Sequence, residues 1–331
     1  MRLKHIDILK GLGILLVILY HSASKFPVDL TTNEVVFRIS RVINTFFMQL
    51  FFFCSGFLMM YTENGLSGKE SWTEYLLKRF KRLLIPYFGF AFIALFLRLA
   101  AGSITRSQTQ LLGGIIDIVF YAKEYWFLFV LFVITVLFKW LRKSTTSMSV
   151  WIGSGVSFLL IAHFEPIELF HIDRITYFSI FVIMGYLASK YHSMVNEYLE
   201  KRFMPILLFL VYIVFFVFFI HCHEGFIKFI LNAFLAVIAI SFFYSISFGM
   251  SKCKNLLMIL THFSVYSLQY YLFHILLCLP VYYLVAFLHI PFPVISMIII
   301  FLSLVILSRL ILLAVMNFPV IYPVVGLKKK K

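Results

Sequence analysis

Lys10 and His21 stand eleven positions apart in one apolar stretch near the N-terminus. At about 100° per residue, Asp7, Lys10, Ile14, Val17 and His21 fall on one face of a helix. Lys10 and His21 are then roughly 16 Å apart along the axis and cannot touch through that helix. An imidazole in apolar surroundings suits general-base or nucleophilic chemistry. A lysine at the far end of the same stripe, with Asp7 as its i,i+3 partner, suits an anion or a boundary anchor. The run Lys78-Arg79-Phe80-Lys81-Arg82, just before Pro86, places Arg79 and Arg82 on one helical face. Paired guanidinium forks match phosphate oxygens, although such a cluster also sets topology. Glu124, beside Trp126, is a carboxylate that can orient His21, whereas Asp7 is about 21 Å away along its helix. Ser264, Ser267, Tyr271 and His274 form a later polar stripe, suited to an oxyanion donor or to a helix–helix hydrogen bond. Ser55-Gly56 permits close helix packing, and Ser55 is another candidate donor.

The elements that must hold these groups are membrane helices. Of 331 residues, 62% are hydrophobic and 13% charged. The mean hydropathy is +0.99, and a soluble domain would have about 45–50% apolar and about 25% charged residues. About ten apolar stretches approach the roughly 20 residues of a span. They cover 6–21, 42–61, 83–101, 125–141, 148–163, 175–190, 203–220, 226–248, 263–288 and 294–316. Backbone groups in lipid must be satisfied internally, so these stretches predict helices and an all-α integral membrane protein. The segment 111–121 is too short to span and predicts an interfacial helix.

The placement of the Lys and Arg behind the net charge of +15 decides orientation. With a cytoplasmic N-terminus, 20 Lys and Arg fall on the cytoplasmic side and 8 on the other, with Arg309 inside the last span. Both termini are therefore expected in the cytoplasm. The same asymmetry explains the basic charge without nucleic acid, and the terminal run Lys328–Lys331 reads as a tail on anionic lipid. The four cysteines have no CxxC spacing, and His221-Cys222-His223 does not make a closed metal site, so no metal is expected. There is no P-loop, GxSxG or HExxH. No linker or internal repeat appears, and the expected organisation is one domain over 1–331.

Taken in order, these pieces resemble the membrane acyltransferase-3 family, the multispanning O-acyltransferases of bacterial surface polysaccharides. Lys10 and His21 are similar to its opening pair of a basic residue, ten residues and a histidine, with Lys where Arg is common. Phe51-Phe52-Phe53-Cys54-Ser55-Gly56-Phe57 resembles its FF-x-SG segment, and Arg79-Phe80-Lys81-Arg82 its RxxR pattern. Trp126-Phe127-Leu128, Tyr177 to Tyr186, and Ser267 to His274 are similar to later landmarks. The chain resembles the stand-alone members, without an extracellular esterase-like domain.

The resemblance implies acyl transfer, usually of acetyl from cytoplasmic acetyl-CoA, to a hydroxyl of a polysaccharide or lipid-linked glycan at the bacterial cytoplasmic membrane. His21 would act as general base or transient acyl carrier, with Glu124 as orienter. Lys10, Lys78, Arg79 and Arg82 would hold the acyl-CoA phosphates. Asp7, Ser55, Trp126, Ser267 and His274 would support, and the pantetheine arm would thread a buried passage toward His21. No permanently bound cofactor is expected, and the oligomeric state is open. Intramembrane His, Lys and Arg also suit a transporter or flippase for a lipid-linked or acyl substrate, and a membrane sensor or scaffold would need none of these groups.

Overall fold

A computed structural model describes residues 3–25, 28–65, 71–100, 110–123, 125–142 and 147–327. Glu124 and Lys328–Lys331 lie outside the described residues. The chain is an all-α, multi-pass membrane protein. Among the described residues, seven helical segments are long and apolar enough to cross a bilayer, the first joining Glu34–Tyr61 and the last Pro293–Val315. Three more are shorter and apolar. The N-terminal helix adds another 18 residues and carries Lys4, Asp7 and Lys10 in its first turns.

Two compact units divide the chain. The first comprises residues 1–55 and 188–314. Its N-terminal helix, α1 (Lys4–His21), leads through a two-residue antiparallel pair, β1 (Ser24–Lys25) and β2 (Val28–Asp29), to α2 (Glu34–Asn44). The start of α3 (Phe47–Gly65) follows, and the unit resumes with α10 (His192–Leu199), α11 (Met204–His221), α12 (Phe226–Met250), α13 (Lys254–Val265), α14 (Ser267–Phe287) and α15 (Pro293–Val315). Helix α1 packs against α12, α13 and α14. Ile8, Leu9, Ile14, Val17 and Ile18 are buried there.

The second unit comprises residues 56–187 and 315–331. It contains α4 (Trp72–Arg79), α5 (Ile85–Ala100), α6 (Leu111–Phe120), α7 (Trp126–Leu141), α8 (Met148–Phe164) and most of α9 (Ile172–Lys190). The ten-residue α6 matches the short segment expected over 111–121.

Three boundaries differ from the hydropathy reading. The stretch 42–61 is two helices, because the Thr45 hydroxyl turns back to the Val42 carbonyl and ends α2. The stretch 263–288 breaks at Tyr266, leaving Phe263 in α13 and beginning α14 at Ser267. The third span begins well before Leu83: α4 continues into α5 through a π-helical turn over Phe80–Leu84. That wider turn replaces the regular i,i+3 geometry expected between Arg79 and Arg82. Hydropathy is blind to all three, because helix breaks and π-turns change hydrogen bonding without changing the apolar content of the chain.

Candidate functional site

In the first unit, α1 is seated at both ends by polar contacts. Near its start Gly11 lets the helix approach α13 closely, since an added Cβ would lie 2.3 Å from the Leu260 carbonyl oxygen. Asp7 Oδ1 accepts a hydrogen bond from the buried Ser264 hydroxyl at 2.8 Å. Lys10 Nζ donates to the Ser264 carbonyl at 3.3 Å. That carbonyl belongs to the last turn of α13, where helical acceptors lack intrahelical partners and a cation is favoured. The stripe of α1 is thus used at one end to hold the α13–α14 break.

At the other end the Tyr282 hydroxyl donates to the His21 carbonyl at 2.6 Å, satisfying one of the terminal acceptors of α1. The His21 imidazole is half-buried, with its ring centroid 5.4 Å from that of His274. His274 is 0% exposed. Its Nδ1 lies 2.8 Å from the Tyr270 carbonyl. A carbonyl only accepts, so Nδ1 carries the hydrogen. The two imidazole rings are tilted 40° to each other. Tyr271 and Tyr20 flank the pair, with ring centroids 5.8 Å from His274 and 5.4 Å from His21 respectively.

The candidate donors divide by geometry. The Ser55 hydroxyl donates to the Phe51 carbonyl at 2.9 Å, so its hydrogen is used within α3. Ser267 opens α14 seven residues before His274, about 10 Å away along the axis. Gly56, next to Ser55, brings α3 against α9, where an added Cβ would stand 2.0 Å from the Val182 carbonyl oxygen.

In the second unit the basic run, through Arg79, meets Tyr75, a buried residue on α4. Its hydroxyl donates to the Thr135 carbonyl of α7 at 3.1 Å. The Arg79 guanidinium lies 5.2 Å from the Tyr75 ring centroid, and Lys139 Nζ lies 5.2 Å from the same centroid. Arg82 follows on the π-turn, close enough to Arg79 for the two charges to repel. Lys78 and Arg82 are exposed, while Arg79 and Lys139 are half-buried. The sequence reading found the run from Lys78 to Arg82 but missed Tyr75 and Lys139. Lys139 was visible only as one more charge on the basic side.

Trp126 opens α7 in the same unit. The Arg174 guanidinium sits 4.3 Å from its ring centroid, and Phe178 stacks on it at 5.5 Å. Its left-handed neighbour Tyr125, with φ 55°, holds the start of the helix. His171 lies edge-on to Trp126 at 6.2 Å, with Nδ1 3.9 Å from Asp173.

A family model described as an acyltransferase domain matches residues 3–315, which takes in every group above. No curated protein and no solved structure matches the chain.

Proposed function

The chain belongs to the acyltransferase-3 family, and from that premise we propose that it moves an acyl group, most simply acetyl, from acyl-CoA to a sugar hydroxyl of a surface polysaccharide or its lipid-linked precursor. The bacterial cytoplasmic membrane is the setting this reading requires, with the basic side facing the acyl-CoA. The observation that carries it is the His21–His274 pair at the end of α1.

His274, with Nδ1 committed to the Tyr270 carbonyl, packs its ring against that of His21 and limits how the His21 imidazole can turn. His21 acts as the base through one ring nitrogen. That nitrogen removes the proton of the acceptor hydroxyl as its oxygen attacks the thioester carbon. The C–S bond then breaks, and the proton passes from His21 to the departing CoA thiolate. The same nitrogen can instead take the acyl group as an acyl-imidazole, releasing CoA before the acceptor arrives. Glu124 is the carboxylate proposed to orient His21, and His274 is the ring packed beside that imidazole. Lys78, Arg79 and Arg82 hold the donor phosphates by charge-assisted hydrogen bonds. Lys10 and Asp7 secure the α1 end through Ser264.

Purified protein in liposomes, given acetyl-CoA labelled in the acetyl group and a mixture of surface glycans, should place label covalently on glycan. Movement of glycan across the bilayer without labelling would instead select the flippase reading. CoA released in one enzyme equivalent without acceptor would identify the acyl-imidazole route.

A further inference from the structure

Tyr75 gathers two cations from different helices. Arg79 comes from the same helix, one turn on, and Lys139 from α7. The ring is fixed to α7 by its hydroxyl bond to the Thr135 carbonyl. Thr135 and Lys139 are four residues apart and so share a face of α7. The anchor therefore sets the register between ring and lysine. The charged ends of Arg79 and Lys139 lie within about 10 Å of each other, each held by the negative face of one aromatic ring. The π-turn follows immediately and carries Arg82, and Arg142 reaches the Tyr186 ring at 5.9 Å from the end of α7.

Bringing like charges to one ring costs repulsion, which a shared polyanion relieves. A lysine meant only to mark the basic side of a membrane would extend to water or headgroups. This one is half-buried over a tyrosine that already positions an arginine.

We propose that Lys139 is a further contact for the phosphates of the acyl donor, and that Tyr75 is the positioning residue that sets Arg79 and Lys139 as one two-cation site. This rests on the acyl-CoA reading above. It adds a residue sixty positions beyond Arg79 to the basic motif. It also makes donor recognition depend on the packing of α4 against α7.

The test compares two thioesters that differ in phosphate. Lys139→Ala should raise the KM for acetyl-CoA about 5- to 20-fold, the loss of one charge-assisted contact, with kcat retained. The penalty should disappear with S-acetyl-pantetheine, which carries no phosphate, and Lys139→Arg should restore most of the affinity. Tyr75→Phe keeps the ring but loses the anchor and should show part of the phosphate-dependent loss, whereas Tyr75→Leu should show it in full. An equal penalty with both donors would make Lys139 a structural residue and overturn the inference. If Lys139→Ala leaves the acetyl-CoA KM unchanged while Arg79→Ala/Arg82→Ala raises it, the inference fails and the donor reading stands. If neither changes it, the donor reading itself fails.

Discussion

The two charged regions of this protein treat polarity in opposite ways. Around α1, in the first unit, three ionisable groups each meet a group that answers them: Asp7 a serine hydroxyl, Lys10 a helix-terminal carbonyl, His274 a backbone oxygen. Around Tyr75, in the second unit, cations are collected on an aromatic ring beside further cations. The first arrangement is built of hydrogen bonds; the second is built of cations over an aromatic face. A reaction that joins a polyanionic donor to an imidazole needs one region of each kind.

Breaking the hydrogen-bonded region at its centre should have the largest effect. His21→Ala should reduce transfer by about 10³-fold or more, the usual range for a lost general base, with membrane insertion and thermal stability retained. Retained glycan acetylation by this variant would remove His21 from the chemistry. Breaking the charged region should act on binding instead. Arg79→Ala/Arg82→Ala is expected to raise the acetyl-CoA KM by about 10- to 100-fold, with a smaller change in kcat. A fall confined to kcat would contradict the division between the two regions.

The remaining effects sharpen the comparison. His274→Ala removes the ring beside His21 but not the base. It should cost about tenfold in kcat with little change in the acetyl-CoA KM. An unchanged kcat would mark the contact between the two rings as packing alone. Gly11→Ala should lower the melting temperature, because the new methyl meets backbone at Leu260 rather than a flexible side chain. Overpacking of this kind costs about 1–3 kcal/mol, and an unchanged melting temperature would show that α1 and α13 can part freely. Tyr282→Phe should have the smallest effect, about 1 kcal/mol from one terminal carbonyl, read as a slight loss of stability with little change in KM.

Much of the fold was legible because its signals are local. Apolar stretches long enough to span appear as such in the chain, and the short α6 was recognisable from its length. His21 and the arginine run could be picked out because charge and imidazole are conspicuous against an apolar background. The α13–α14 break at Tyr266 was not legible, since Phe263, Val265 and Tyr266 are as apolar as their neighbours. Nor was the π-turn over Phe80–Leu84, which differs from an α-helix only in which carbonyl each amide reaches. Polar partners were hardest to assign. The ring beside His21 belongs to a residue 253 positions away, a separation over which no local pattern carries information.

The sequence by itself determined the solvent, the helical class and the residue types available for chemistry, because transfer free energy and charge are properties of residues taken one at a time. Only the tertiary structure decided that Ser264 joins Asp7 to Lys10, that His274 lies beside His21, and that Tyr75 collects Arg79 and Lys139. Hydrogen bonds and cation–π contacts act over a few ångströms, and in a helical bundle those few ångströms separate residues that the chain places far apart.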